Sequence, residues 1–283
     1  MGGRKTKLNR SFLLRHPIFM NLELQGRSAL VTGSSAGIGY AIAERLALEG
    51  ASVIVNGRTQ ERVDQALARM ARSGGRGSVT GLAADLGTAD GVRKAVEQFP
   101  DVDILVNNLG IFEPKAFEEI SDADWLRFFE VNVMSGVRLS RSYLPRMKRR
   151  NWGRIVFISS ESAVQIPTEM IHYGMTKTAQ LAISRGLAET TAGTNVTVNS
   201  VLVGPTASEG VLEFVNQLAA QEKTDRASVE KEFFQSTRPT SLLKRMIEPK
   251  EIAAFVAFLC SPLSSATNGA ALRADGGVVR SIL

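Results

Sequence analysis

Residues 28–49 read Ser28-Ala-Leu-Val-Thr-Gly-Ser-Ser-Ala-Gly-Ile-Gly-Tyr-Ala-Ile-Ala-Glu-Arg-Leu-Ala-Leu-Glu49, and they indicate the fold class more directly than any other segment. A short apolar run typical of a buried strand leads into a glycine-rich turn, and apolar residues then recur at helical spacing. A glycine turn between a strand and a helix directs backbone N–H groups and a helix N-terminus toward a diphosphate. A plain turn is the alternative interpretation, but the strand and helix that the motif requires are both present.

The same alternation of apolar runs and helical stretches continues along the chain. The longest helical stretches are predicted over 121–150 and 172–192. Strands are predicted at 28–32, 52–56, 78–83, 103–106, 154–159, 196–202 and 270–274. This order predicts an α/β fold, in which a parallel sheet carries helices on both faces. Ligands of such folds bind at the carboxyl ends of the strands.

A second pattern, Tyr173-Gly-Met-Thr-Lys177, places a phenol and an ammonium four residues apart. On a helix, residues at this spacing share a face. A nearby positive charge favours the phenolate, so Lys177 is expected to lower the pKa of Tyr173 and make it a general acid or base. A solvated helix face is the alternative for this common spacing.

From about residue 24 to its C-terminus, the chain resembles the classical short-chain dehydrogenase/reductase family. The resemblance implies a single Rossmann-type domain with a doubly wound parallel sheet of about seven strands. It rests on six elements in order: Thr32-Gly-Ser-Ser-Ala-Gly-Ile-Gly39; Asp85; Asn107-Asn-Leu-Gly110; Asn132; Ser160 with Tyr173 and Lys177; and Gly204-Pro205.

The resemblance implies a catalytic set of Asn132, Ser160, Tyr173 and Lys177. Tyr173 is the expected proton donor, and Lys177 is expected to hold the nicotinamide ribose. Ser160 would orient the substrate carbonyl; Ser159 competes for this role, but the thirteen-residue interval to Tyr173 favours Ser160. Asn132 would bind water and relay protons from Lys177, or it is a core amide that kinks its helix. His172 is expected to be non-catalytic.

The residues after the second predicted strand indicate the cofactor. Gly57 stands where NAD-preferring enzymes carry an acidic residue for the ribose 2′-hydroxyl. Arg58 follows and is suited to a 2′-phosphate, with Ser34 and Ser35 as possible hydroxyl donors. The expected cofactor is therefore NADP(H) rather than NAD(H). The alternative is that Arg58 is a solvated cap of the next helix.

Further cofactor contacts are expected from the resemblance. Asp85 would lie beside the adenine, although it could also be a helix N-cap. Leu109 replaces the alanine usual in the family and is larger. The complete set expected to contact the cofactor is Gly33, Ser35, Gly37, Ile38, Gly39, Arg58, Asp85, Leu86, Asn108, Gly110, Tyr173, Lys177, Gly204 and Thr206. No metal site is predicted.

Composition limits the other classes of protein to which the chain could belong. The chain has 283 residues, 44% of them hydrophobic, and a net charge of +6. Residues 1–19 carry five basic residues and no acid, so the rest is nearly neutral and nucleic-acid binding is not expected. No apolar run is long enough for a membrane span. The one cysteine, Cys260, fits a core position and a reducing, cytoplasmic location.

Two segments stand apart from the alternating pattern. Residues 1–23 are interpreted as a basic leader, either disordered or upstream of a true start at Met20, with a transit peptide as the alternative. Residues 24–283 form the domain. Within it, residues 206–245 are predicted to be a substrate lid, with a surface helical hairpin as the alternative.

The sequence as a whole predicts an oxidoreductase that transfers hydride between NADP(H) and a carbonyl or secondary alcohol. A 3-oxoacyl-thioester is one candidate substrate, although the long segment 206–245 favours another ketone. The main alternative is a non-catalytic nucleotide-binding regulator, and an isomerase or dehydratase is a third. The resemblance implies a homotetramer or homodimer built from the two long helices.

Overall fold

The computed structural model describes residues 20–282. Its centre is a parallel sheet in the order β3-β2-β1-β4-β5-β6-β7. The strands are β1 (Ser28–Val31), β2 (Ser52–Gly57), β3 (Val79–Ala83), β4 (Ile104–Asn107), β5 (Gly153–Ser160), β6 (Val196–Val203) and β7 (Ala271–Ala274). Every predicted strand is present to within a residue or so, and the doubly wound fold class is confirmed.

Helices cover both faces of the sheet. They are α1 (Gly37–Leu48), α2 (Gln60–Ala71), α3 (Ala89–Gln98), α4 (Asp122–Phe129), α5 (Ser135–Arg149), α6 (Ile171–Glu189), α7 (Glu209–Glu222), α8 (Arg226–Ser236) and α9 (Pro249–Cys260). Alternate strand residues enter different cores: Ala29 and Val31 pack in one apolar cluster, and Leu30 packs in the other. This follows from the two-residue period of a strand whose two faces are both buried.

The helix predicted over 121–150 is interrupted. A π-helical turn, Glu130–Met134, separates α4 from α5. Within this turn, the Asn132 side chain bonds the backbone of Ile111, and the Asn132 carbonyl accepts a hydrogen bond from the side chain of Gln180 on α6. A π turn is a common feature of functional sites, and this one presents both polar groups of Asn132 to neighbouring elements.

Residues 206–245 contain the helical hairpin α7–α8. The hairpin has an apolar cluster of its own, which includes Val215, Val229 and Phe234. Near the N-terminus, Leu22 is buried in the apolar cluster that contains Ala29 and Val31, which we call the main core. Residues 20–23 therefore belong to the domain rather than to a leader. The rest of the predicted leader, residues 1–19, lies outside the described part of the chain.

Candidate active site

The glycine turn after β1 has the geometry that a dinucleotide requires. Gly33 and Gly37 adopt positive φ angles of 60° and 57°, which side chains other than glycine rarely tolerate. A Cβ atom at Gly39 would lie 2.4 Å from Asn108 Nδ2 and 2.5 Å from the carbonyl oxygen of Gly33. The turn is thus closed to side chains, and α1 begins at Gly37 with its N-terminus toward this turn.

Asn108 holds this turn in place. Its Nδ2 donates to the carbonyl oxygens of Thr32 and Gly33, at 2.9 and 3.2 Å. The hydroxyl of Ser34 is buried, donates to Val31 and accepts from the Asn56 backbone. The expectation that Ser34 offers its hydroxyl to a cofactor phosphate is therefore wrong, because that hydroxyl joins the ends of β1 and β2.

The end of β2 fits a cofactor with a 2′-phosphate. Arg58 is exposed directly after Gly57, and the N-cap of α2 is Thr59, so Arg58 is not needed as a helix cap. A Cβ atom at Gly57 would lie 3.1 Å from Val63 and 3.3 Å from Ser35. An acidic side chain at position 57 would therefore be crowded, whereas Arg58 is exposed one residue further along the chain.

Asp85 shapes the turn after β3 instead of capping a helix. Its Oδ1 accepts a hydrogen bond from the Gly87 backbone, and the N-cap of α3 is Thr88. Asp85 is exposed and Leu86 is buried. The N-cap alternative is wrong, and the adenine contact stays a prediction.

Three of the four predicted catalytic residues lie where β5 ends and α6 begins. Ser160 is the last residue of β5, and Tyr173 and Lys177 share one face of α6. Lys177 Nζ donates to the Ile158 carbonyl at 2.9 Å and lies 5.6 Å from the centre of the Tyr173 ring. The Ser159 hydroxyl instead donates to the Lys177 carbonyl, which favours Ser160 as the residue that contacts substrate.

The electrostatics of this set differ from the sequence expectation. Burial raises the pKa of the Tyr173 phenol, and the Glu161 carboxylate raises it further. Burial lowers the pKa of the Lys177 ammonium to about 8. The expected net lowering of the Tyr173 pKa is not found, because burial and the Glu161 carboxylate outweigh any stabilisation of the phenolate. Lys177 Nζ donates to the Ile158 carbonyl instead. The phenol consequently keeps its proton and is suited to act as an acid.

Asn132 connects to Lys177 through Gln180. Lys177 Nζ is 3.4 Å from Gln180 Oε1, and Gln180 Nε2 donates to the Asn132 carbonyl at 2.6 Å. The Asn132 side chain is fully engaged by Ile111 and by the Thr176 hydroxyl. The position of Asn132 in the helix interruption agrees with a core amide that kinks its helix. Its place at the end of a polar chain from Lys177 agrees with a proton relay.

These residues border a cavity of about 570 Å³. The predicted site residues that line it are Ile38, Asn108, Gly110, Ser160, Tyr173, Lys177, Gly204 and Thr206. Those that do not line it are Gly33, Ser35, Gly37, Gly39, Arg58, Asp85, Leu86 and Asn132. Most of the second group belong to the glycine turn and to the ends of β2 and β3. The two groups together trace a path from the ends of β2 and β3 to Tyr173, which fits an extended dinucleotide.

The cavity contains an ion pair that sequence reasoning missed. Arg238, which follows α8, donates from Nε to Glu161 Oε1 at 3.0 Å and from Nη1 to Glu169 at 3.2 Å. Glu161 Oε2 accepts from the Ser160 hydroxyl at 2.5 Å. The only sequence signal was the position of Glu161 beside Ser160, because Arg238 is 77 residues away.

Two candidate groups lie outside the cavity. His172 is buried against Phe128, with ring centres 4.0 Å apart, and burial lowers its pKa. Cys260 is buried in the main core, as expected. Within residues 20–282, no cluster of three or more metal-ligating side chains occurs, and no helix is long and apolar enough to cross a membrane.

Comparisons with known proteins agree with this geometry. Residues 33–279 match the family described as enoyl-(acyl carrier protein) reductase. The chain is 54% identical to the uncharacterized oxidoreductase YvaG of Bacillus subtilis, over 93% of this chain and 100% of the relative. It is 34% identical to the 3-oxoacyl-[acyl-carrier-protein] reductase FabG of Aquifex aeolicus, over 92% of this chain and 100% of the relative.

Solved structures give the same result. The L-sorbose reductase of Gluconobacter frateurii, complexed with NADPH and L-sorbose, superimposes with a TM-score of 0.87 at 32% identity. The alignment covers 93% of this chain and 100% of that structure. By sequence, fold and the arrangement of Ser160, Tyr173 and Lys177, the chain belongs to the short-chain dehydrogenase/reductase family of oxidoreductases.

Proposed function

We propose that this protein is an NADP(H)-dependent oxidoreductase that interconverts a ketone and a secondary alcohol. The observation that carries the proposal is the convergence of Ser160, Tyr173 and Lys177 on one cavity that continues toward the glycine turn. A general acid, a hydroxyl donor and a buried cation within one cavity are the groups that carbonyl reduction needs.

The choice of NADP(H) is supported by the end of β2. A glycine at position 57 supplies no carboxylate for the ribose 2′-hydroxyl, a larger side chain there would be crowded, and the exposed Arg58 offers a guanidinium to a 2′-phosphate. The sorbose reductase that this chain resembles is complexed with NADPH. Bound at this site, the nicotinamide cofactor supplies or accepts the hydride. The glycine turn would hold its diphosphate, and Lys177 its nicotinamide ribose.

Side chains of the protein hold and transfer the proton that the carbonyl oxygen receives. In reduction, Tyr173 donates its phenolic proton to the oxygen of the substrate carbonyl, and the Ser160 hydroxyl binds the same oxygen. The raised pKa of Tyr173 keeps that proton available for transfer. The Lys177 ammonium stabilises negative charge on the phenol after the transfer. Gln180 and the Asn132 carbonyl extend this polar chain beyond Lys177.

Two substrate classes follow from the relatives. The FabG relative is a 3-oxoacyl-[acyl-carrier-protein] reductase, and the structural neighbour is complexed with L-sorbose, a keto sugar. The hairpin α7–α8 forms a wall of the cavity through Val211, Phe214 and Leu218. A hairpin of this length favours a compact ketone that it can enclose over a thioester that extends out of the site. We therefore propose a compact ketone as the more suitable substrate class.

The test replaces the proton donor alone. Tyr173→Phe should reduce NADPH oxidation with a panel of ketones by more than about a thousandfold, because the phenol is the group that the proposal assigns to protonate the carbonyl. NADPH binding, followed by fluorescence titration, should stay within a few fold of wild type. Tyr143→Phe is the matched control, since this buried tyrosine donates to the Phe99 carbonyl away from the site.

Two results would contradict the proposal. Full activity of Tyr173→Phe would remove the tyrosine from the mechanism. Tight NADPH binding by the wild-type protein without turnover of any ketone would instead favour a nucleotide-binding regulator.

We also propose that the protein forms a homotetramer or homodimer through the helical region 121–150. Leu126 and Phe129 on α4 are exposed apolar residues, with 70% and 39% of their surface accessible in the single chain. Light scattering should give two or four times the chain mass, and Leu126→Glu should lower it. A monomeric mass for the wild-type protein would contradict this proposal.

A further inference from the structure

Glu161 occupies an unusual position for an acidic residue. Only 5% of its surface is accessible, and its carboxylate borders the cavity directly beside the catalytic serine. One carboxylate oxygen accepts from Arg238 Nε at 3.0 Å, and the other accepts from Ser160 Oγ at 2.5 Å. A buried carboxylate is costly unless it is paired, and Arg238 supplies that pair.

The contact with Glu161 restricts what Ser160 can do. A serine hydroxyl has a single proton to donate, and Ser160 Oγ lies 2.5 Å from a Glu161 carboxylate oxygen, which can only accept. The Ser160 oxygen already accepts from the Ser162 backbone. To bind a substrate carbonyl, Ser160 must therefore withdraw its proton from Glu161, and the carboxylate then needs another donor.

A substrate can itself supply that donor. Two lone-pair sites on each carboxylate oxygen leave room for a second hydrogen bond to Glu161. When a hydroxyl and a carbonyl sit on adjacent carbons, their oxygens lie about one hydrogen-bond length apart. This matches the separation of Ser160 Oγ and Glu161 Oε2. The carbonyl can then accept from Ser160 while the hydroxyl donates to Glu161.

The charge of the cavity also favours an uncharged substrate. Four carboxylates line it, those of Glu161, Glu169, Glu222 and Glu232, against the guanidinium of Arg238 and the ammonium of Lys177. The guanidinium is matched by two of these carboxylates. The cavity therefore repels an anionic substrate, and its hairpin wall, which includes Phe214 and Leu218, offers an apolar surface instead.

We propose that Glu161 is a specificity-determining acceptor and that the substrate is a neutral α-hydroxy ketone with an apolar substituent. The inference rests on the proposed carbonyl reduction and names the substrate class of that same site. The hydroxyl of the substrate takes the place of the Ser160 proton on Glu161, so that recognition of this hydroxyl frees Ser160 for the carbonyl.

The test uses three aryl ketones that differ at one position. 2-Hydroxyacetophenone has the donor, 2-methoxyacetophenone has a similar electron-withdrawing oxygen without a donor, and benzoylformate is an anion. With NADPH, wild-type kcat/KM should be at least about tenfold higher for the hydroxy ketone than for the methoxy ketone, the value expected of one hydrogen bond to a charged acceptor. Benzoylformate should be the poorest of the three.

Variants of Glu161 and Glu169 test whether Glu161 causes the preference for the hydroxy ketone over the methoxy ketone. In Glu161→Ala the hydroxy-to-methoxy ratio should approach one, and Glu161→Gln should give an intermediate ratio because a neutral acceptor remains. Glu169→Gln is the matched control: it also pairs with Arg238 but has no contact with Ser160, so it should keep the wild-type ratio. If Glu161→Ala does not fold, the Gln variant decides.

A binding measurement separates this inference from the proposed function. Calorimetry of the NADPH complex should show tighter binding of 1-phenyl-1,2-ethanediol than of 1-phenylethanol, and Glu161→Ala should abolish the difference. Equal reduction of the hydroxy and methoxy ketones, or an equal loss in Glu169→Gln, overturns the inference and leaves the reductase intact. Absence of all turnover overturns the proposed function, and equal binding of the two alcohols then overturns the inference as well.

Discussion

The buried ammonium of Lys177 lowers the free energy of unfolding, and the variant Lys177→Met can measure by how much. Only 5% of this lysine is accessible, and no acidic side chain is among the causes that set its pKa. Burial lowers that pKa from an ordinary value of 10.5 to about 8. Each tenfold change in an acidity constant corresponds to about 1.4 kcal/mol. Keeping the ammonium charged in the folded state at neutral pH therefore costs about 3 kcal/mol.

The sign of the pH dependence follows from proton binding. Below pH 8, the lysine is protonated in both states, and the full cost is present. Between pH 8 and 10.5, the folded chain releases the proton while the unfolded chain keeps it. Because stability rises with pH wherever the unfolded state binds more protons, the wild-type protein regains free energy in this window.

The assay is denaturant unfolding of cofactor-free wild type and Lys177→Met at several pH values, at one fixed protein concentration. Relative to the variant, the wild type should gain about 2 to 3 kcal/mol between about pH 7 and pH 10. Titration of other groups cancels in this difference. Lys250→Met, at an exposed lysine on α9, controls for the loss of any lysine. A difference between wild type and Lys177→Met that does not change with pH would show that the charge of Lys177 carries no such cost in the folded protein.

Three further outcomes are expected. Gly39→Ala should abolish NADPH binding in fluorescence titration, because the new methyl group would collide with the Asn108 side chain and the Gly33 carbonyl. Arg58→Ala should raise KM for NADPH by about tenfold or more and leave KM for NADH unchanged, as one charge-assisted contact is lost; equal effects on both would remove Arg58 as the selector. Phe234→Ala, which empties a buried site in the hairpin cluster, should cost about 3–5 kcal/mol locally and speed limited proteolysis between α7 and α8.

The fold was largely predictable from local patterns. Apolar runs such as the one from Ser28 to Val31 are strands buried on both faces, and their order along the chain fits the observed sheet. Glycines were equally informative, since Gly33 and Gly37 adopt conformations that few other residues can. The π turn at Glu130–Met134 could not be predicted, because one inserted residue barely disturbs helical periodicity over thirty positions.

The polar details of the site depended on tertiary contacts. Nothing in the sequence associates Arg238 with Glu161, because their contact exists only once α8 is folded over the end of β5. The protonation of Tyr173 was misjudged for the same reason: helical spacing indicated a nearby lysine, whereas burial and the Glu161 charge dominate its pKa. Spacing identifies which side chains share a face, but not where their polar atoms point.

The separate apolar cluster of the hairpin α7–α8 bears on how this protein can evolve. The cluster around Val215 and Phe234 is distinct from the two cores that flank the sheet. Substitutions among hairpin residues such as Phe214 can therefore reshape the cavity wall with little effect on the packing that holds the sheet together. A new specificity can arise in this lineage by exchange of one short segment, while the hydride-transfer machinery is inherited intact.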